Sequence, residues 1–290
     1  MKLIVKFNLV LLLVFAAGLV GAGYVSFQLL QQNARDEIIE NARVMMASSL
    51  AMRTYTNKQI KPLLETQMKY RFLPQSVPAY AATEHFNELR ANFPEYAYKE
   101  ATLNPTNPRD RASDWEADIV NTFRQSPAQR ELIGERDTPS GPSLYLARPL
   151  QIKDPACLIC HSTVGVAPKT MIDHYGTANG FGWQLDEIIG AQVVSVPMEV
   201  PIKRAQQTFQ VFMILLTTLA AFLFISLNIL LVTLVVRRVK TLAKLADQVS
   251  LGDMDAPEFT AKGSDEIATL SESFNRMRTS LVQALRMLET

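Results

Sequence analysis

Cys157-Leu158-Ile159-Cys160-His161 uses both cysteines and one of the three histidines of a 290-residue chain. Two thiols about one helical turn apart, followed directly by an imidazole, form the C-x-x-C-H pattern of covalent haem attachment. Each thiol is spaced to form a thioether with a haem vinyl group, and the adjacent imidazole to ligate the iron from the proximal side. Cys157 and Cys160 are therefore read as cofactor-binding, His161 as the metal ligand, and a single covalently attached haem c as the cofactor. A thioredoxin-like pair does not need the histidine, and a zinc site wants a second pair of ligands, so both rival readings are weaker.

Haem c is matured outside the cytoplasm, where cysteines meet oxidising conditions, so this segment must be exported. Two apolar runs serve that purpose. Phe7 to Leu30 carries no charge over about 24 residues and Val211 to Val236 none over about 26, against the roughly 20 that span a bilayer as helix. The first run is longer than the apolar region of a signal peptide and lacks a persuasive cleavage site, so it is read as a retained anchor. Lys2 and Lys6 precede the first run, and Arg237, Arg238, Lys240 and Lys244 follow the second. The positive-inside rule then puts both termini in the cytoplasm of an inner-membrane protein and the haem segment outside.

A net charge of +1 fits two spans joined to two soluble parts, not a many-helix carrier. Basic residues are dispersed or juxtamembrane, with no Lys/Arg patch interleaved with aromatics, so nucleic acid is not an expected partner. No internal repeat or low-complexity tract stands out.

The exported stretch, residues 31–207, is long enough for one domain with its own core. Asn33 to Met68 is rich in helix formers with few breakers before Pro62, which predicts a long helix continuing from the membrane. Leu103 to Asp110 contains Asn104-Pro105 and Asn107-Pro108 and reads as a turn region. Asp114 to Arg124 reads as an amphipathic helix, and Leu144 to Ile152 and Gln192 to Val200 as strands bracketing the cysteine motif. Helices first and strands around the cofactor predict an α+β fold.

Further segments carry a family resemblance: Phe93-Pro94-Glu95-Tyr96-Ala97-Tyr98-Lys99-Glu100-Ala101, Asn104-Pro105-Thr106-Asn107-Pro108, Asp114-Trp115-Glu116, Ala147-Arg148-Pro149, Ala167-Pro168, Tyr175-Gly176 and Gly180-Phe181-Gly182-Trp183. With the cysteine motif, this ordered series resembles the extracytoplasmic haem-c-binding domains long catalogued as a domain of unknown function. The likeness runs over most of residues 43–201. It implies a PAS-like sensory fold, an antiparallel sheet with flanking helices and a long N-terminal helix, often coupled to sensor kinases.

The resemblance carries over Cys157 and Cys160 as thioether sites and His161 as proximal ligand, but leaves the sixth ligand open. One type within the family uses a thiolate from the N-terminal helix, and this chain has no third cysteine. Met45, Met46 and Met52 lie in the corresponding region; Met52 is preferred as a metal ligand because it adjoins Arg53 and Tyr55, although a helical Met is also ordinary core filling. His85, His174 and an open distal position are the alternatives. Arg53, Tyr55 and Arg148 are candidate partners for the haem propionates, since a guanidinium fork can make two parallel bonds to a carboxylate. Tyr175, Phe181 and Trp183 could wall the porphyrin or simply pack the core.

After the second span, Val239, Leu242, Leu245 and Val249 share one helical face. Leu251-Gly252-Asp253-Met254 and Asp265-Glu266 follow, and Ile267, Leu270, Phe274, Met277, Leu281, Ala284 and Leu288 then alternate steps of three and four. That is a coiled-coil seam of about three heptads. Two amphipathic helices joined by a Gly-containing connector after a membrane span resemble a HAMP domain, here over residues 237–290. Asp265 caps the second helix electrostatically, while the proline customary near the start of the first is replaced at Arg238-Val239. The resemblance implies a parallel four-helix bundle, hence a homodimer, because one chain cannot bury both apolar stripes.

The expected architecture is a span at 7–30, an extracytoplasmic PAS-like haem c domain at 31–207, a span at 211–236 and a cytoplasmic HAMP coiled coil at 237–290. The expected function is a redox or diatomic-gas sensor whose haem state is passed through the HAMP helices to a separate cytoplasmic partner such as a kinase. With only Glu289-Thr290 after Leu288, the output is expected to come from a partner protein or a separately encoded module. The alternative is a membrane-bound c-type cytochrome in electron transfer, or a subunit of a respiratory or photosynthetic complex. Catalysis is not expected, since no distal base with a charge-stabilising partner is evident.

Overall fold

The computed structural model describes residues 3–139, 141–253, 255–260 and 263–288. These divide into two compact units, one of residues 27–208 and one built from residues 1–26 and 209–290.

The first unit is organised by a four-stranded antiparallel sheet. Its strands are β1 (Ala97–Thr102), β2 (Leu132–Thr138), β3 (Gly141–Gln151) and β4 (Ile188–Pro197), in the order β1-β4-β3-β2. Alternation along the strands divides the side chains between two faces. On one face Tyr98, Leu144, Leu146, Val194 and Val196 pack against Ile38, Ala42 and Met46 of α1 (Leu3–Tyr55) and against Ala82 and Phe86. Ile38, Ala42, Met46, Ser49, Arg53 and Thr56 follow one another at steps of three and four, the spacing that keeps a helical stripe on a sheet. On the other face Ala101, Ala147, Ala191 and Val193 pack against Ile119, Val120 and Phe123. Helices on both faces of one sheet make the α+β arrangement expected from the sequence.

The long helix runs as read. Past Tyr55 it widens to a π-helical turn at Thr56–Ile60 and resumes as α2 (Lys61–Met68), with Pro62 in its first turn. Pro62 has no N–H, and its ring crowds the carbonyl four residues back, so the turn before it opens. Then come α3 (Pro78–Arg90) and, beyond the Asn-Pro turns, α4 (Asp114–Gln125). The Glu116 carboxylate accepts from the Ser113 N–H and hydroxyl at the start of α4, and Lys99 Nζ from β1 pairs with it at 2.7 Å. β3 and β4 begin three and four residues before the stretches whose composition predicts strand, and β1, β2 and α3 are elements beyond those expected from the sequence. The cysteine motif lies between β3 and β4, with Leu158–His161 as the single turn α5, followed by α6 (Lys169–Tyr175).

In the second unit, the start of α1 lies against α7 (Glu199–Leu230): Phe15 meets Phe224 edge-on at 6.4 Å between ring centroids. A Cβ at Gly23 would sit 3.3 Å from Met213, so glycine lets the two helices approach closely. Both helices are long and apolar enough to cross a membrane. The chain continues through α8 (Arg237–Ser250), which buries Leu242 and Val249, to α9 (Glu266–Leu288). Asp265 accepts from the Ala268 N–H at 2.9 Å, capping α9 as expected, and pairs with Arg238 at 2.5 Å. The Asn275 side chain bonds both the N–H and the carbonyl of Phe259, fixing the connector to α9. Leu270, Met277 and Leu281 of the heptad seam are exposed in the single chain. Met254, named in that connector, lies outside the described residues.

Candidate functional site

α5 is one turn long, which sets Cys157 and Cys160 on one side and leaves Ile159 between them 58% exposed. Both thiols are unbridged and half-buried. Burial pushes the Cys157 thiol up, aided by Asp154 and opposed by Arg53 and Lys61; burial also raises Cys160, again opposed by Lys61. Arg53 of α1 and Lys61 of α2 therefore stand within electrostatic reach of the motif. Cys160 packs at the edge of an apolar cluster of Phe72, Ala167 and Met171, with Phe181 and Tyr175 alongside.

His161 is held from three directions by the loop at 180–183. Its Nδ1 lies 2.8 Å from the carbonyl oxygen of Gly180, its ring stacks on Trp183 at 3.9 Å and 17°, and its own carbonyl accepts from the Trp183 N–H at 3.2 Å. A carbonyl only accepts, so Nδ1 carries the proton and Nε2 keeps its lone pair. Burial lowers the pKa of His161, which also favours the neutral, ligating imidazole, while the bond to Gly180 works in the opposite direction. The Thr106 hydroxyl lies 3.3 Å from the same Nδ1. Gly180 itself has φ +84°, and a Cβ there would fall 2.0 Å from Thr106 Oγ1, so no other residue fits.

Beneath the last turns of α1 runs a buried polar row on the sheet. Arg53 pairs with Glu100 at 2.5 Å, Glu100 also accepts from the Tyr98 hydroxyl at 2.8 Å, and Gln192 donates to that hydroxyl at 3.0 Å. Glu100 is 2% exposed. Burial and then the Glu100 charge raise the Tyr98 pKa, keeping it a neutral donor. For Arg53, burial lowers the pKa, but the Glu100 carboxylate and neighbouring groups outweigh it and the net shift is upward.

The structure thus brings Arg53 near the cysteine motif. Arg148 occupies the same face of β3, where its guanidinium engages Glu131 at 2.9 Å, a carboxylate shared with Arg43 of α1 at 3.1 Å. Tyr55 is 47% exposed. Met46 is spent in the core, Met45 packs at its edge, and Met52 is half-buried beside Arg53. His85 lies 3.3 Å from Ser48 Oγ, and His174 packs against Phe72 and Tyr175 beside an open cleft of about 670 Å³ that reaches Tyr80 and Asn107. Asn104, Thr106, Lys61 and Glu100 join the site without a chemical motif in the sequence that marks them. Only the Asn-Pro-Thr-Asn-Pro and Gly-Phe-Gly-Trp strings hinted at the loop contacts.

The donor set fits a covalently held haem: two open thiols, an imidazole with its tautomer fixed, and an adjoining apolar wall. Among the described residues, no group of three or more His, Cys, Asp and Glu side chains is placed to hold a bare metal ion.

Residues 230–283 match the HAMP domain family. The cyanobacterial haem-protein Tll0287, of known crystal structure, superposes with a TM-score of 0.44 at 14% identity over 56% of this chain and 95% of that one. The comparison with curated proteins returned no match. Residues 31–197, more than half of the chain, match the Tll0287-like family, and the chain belongs to that family.

Proposed function

We propose that this protein is a membrane-anchored haem c sensor of redox state or of a diatomic gas, signalling through its HAMP helices to a separate partner such as a kinase. The observation that carries the haem reading is the His161 clasp, which presents a fixed Nε2 beside two unbridged cysteines. The family takes its name from a haem-protein, which supports the same reading. The HAMP match supports signalling in place of simple electron carriage.

When bound, the haem supplies an iron that exchanges one electron or takes a diatomic ligand. Cys157 and Cys160 would tether it, and His161 would ligate through Nε2. Gly180 holds the imidazole tautomer, and Trp183 excludes water from one ring face. Met52 is the proposed distal ligand. Arg53, with Lys61 near the thiols, is the proposed partner for propionate charge, and Tyr55 stands at the same end of α1; Arg148, a further candidate, is held by Glu131 beside Arg43, earlier on the helix. Met52 and Arg53 both lie on α1, the helix that bears the first span, so these two residues would link a bound haem to that helix. We assign the spans to 7–30 and 211–236, the extracytoplasmic domain to 31–207 and the cytoplasmic HAMP domain to 237–290. The exposed seam of α9 is the proposed homodimer contact.

The test is disulfide crosslinking between chains bearing a single cysteine at Leu270 or Met277, with the haem oxidised, reduced, or reduced and exposed to CO or NO. State-dependent crosslinking is expected. Identical crosslinking in every state, together with fast electron exchange with a quinol pool or soluble cytochrome, would replace this reading with the electron-transfer one.

A further inference from the structure

The carbonyl that fixes His161 is itself fixed by a residue outside the cysteine motif. Asn104 accepts at Oδ1 from the Gly180 N–H at 3.1 Å and donates from Nδ2 to the Phe181 carbonyl at 3.2 Å. These partners leave no choice in the orientation of the amide, because an N–H only donates and a carbonyl only accepts. The two bonds flank the Gly180–Phe181 peptide unit, whose carbonyl oxygen points at His161 Nδ1.

We propose that Asn104 is a positioning residue for the proximal imidazole, acting through the Gly180 carbonyl. The inference rests on reading His161 as the haem ligand. The segment Asn104-Pro105-Thr106 serves twice: Asn104 aims the carbonyl, and Thr106 fills the space against Gly180 that a side chain would need. Pro105 is buried between them and, having no N–H, leaves no competing donor at that point. A loop with glycines at 176, 180 and 182, all at positive φ, has little stiffness of its own, so its rigidity near His161 must come from outside. Asn104 supplies two bonds to it.

The chemical consequence lies in the ligand. An Nδ1–H bonded to a well-aimed carbonyl makes the opposite nitrogen a stronger donor, and loss of such an outer partner weakens the metal bond. A ligand that donates more strongly favours the ferric state. Removing the Asn104 bonds should therefore weaken the iron–histidine bond and raise the reduction potential.

The experiment compares the wild-type full chain with Asn104→Leu, which loses both bonds at similar volume, and with Asn104→Asp, which keeps only the acceptor. In holoprotein, the ferrous iron–histidine stretching frequency is read in a Met52→Ala background that opens the distal position, together with the reduction potential. In full-length chain produced without haem maturation, nitrogen NMR reads which His161 nitrogen carries the proton. The expected result is a lower stretching frequency, a higher potential and loss of the Nδ1-protonated preference in Asn104→Leu, with Asn104→Asp between it and wild type. If Asn104→Leu fails to fold, Asn104→Asp must still shift all three readouts in the same directions. A variant with a lowered melting temperature and none of these shifts would reduce Asn104 to a structural role and overturn the proposal. Absence of covalent haem from wild type would instead overturn the haem reading, while the tautomer measurement would still decide what Asn104 does to His161.

Discussion

Arg53 of α1 and Glu100 of β1 form a 2.5 Å ion pair on the sheet face, joining the end of the long helix to the strand at the sheet edge. The Glu100 side chain is 3% exposed, so its charge depends on this partner and on Tyr98. Removing one member of a buried pair strands the other, at a cost of about 3–5 kcal/mol, whereas replacing both is much milder. Arg53→Met should therefore lower the stability of the haem-bearing domain by about that much, and Arg53→Met with Glu100→Gln should recover most of the loss. Chemical denaturation of the four combinations measures the coupling; additive losses would show that the pair is not coupled.

Cys157 and Cys160 set the next expectation. Denatured wild-type protein should retain its haem on a stained gel, because thioethers survive denaturation, and the double substitution to Ala should lose it. His161→Ala should permit attachment but abolish the low-spin spectrum of a six-coordinate iron. A wild-type chain that releases its haem on denaturation contradicts covalent attachment.

Met52 is the proposed distal ligand. Met52→Ala should convert a six-coordinate spectrum to one with an open or water-filled position and lower the reduction potential, since thioether ligation raises it. An unchanged spectrum would return the choice to His85, His174 or an open site.

Membrane topology follows from the charge flanks of the two spans. Reporter fusions or cysteine labelling should place Asp114 outside and Asp265 inside. Finding both on one side removes the two-span arrangement.

Asp110 provides a pH test. Burial pushes its carboxyl up to about 6, with Arg109 opposing and Glu100 reinforcing. The folded chain thus holds this proton more tightly than the unfolded one, so Asp110 costs stability progressively from about pH 4 to pH 6, and the cost is complete above that. Asp110→Asn should stabilise the protein at pH 7.5 by on the order of 2 kcal/mol and make no difference below about pH 4. Thermal melts of both proteins across that range measure it; a pH-independent difference would show that the charge is not responsible.

The sequence by itself determined the features whose information is local or periodic. C-x-x-C-H is a chemical identity at fixed spacing, the spans are uninterrupted apolar lengths, and α4 and α9 repeat at helical steps. The strands β1 and β2 escaped for a physical reason. Ala97–Thr102 places Lys99 and Glu100 side by side, each neutralised by a distant residue, Glu116 for one and Arg53 for the other. Leu132–Thr138 contains Gly134, Glu135, Arg136 and Asp137, poor strand formers carried by pairing with β3. Only the tertiary structure decided how the site is held. Asn104 meets the 180–181 loop across 77 residues, Thr106 meets His161 across 55, and Arg53 meets Glu100 across 47. Contacts of that separation depend on strand register and on the seating of α1 over the sheet. Both are set by burial of apolar surface in the whole domain, and no short window of sequence contains them.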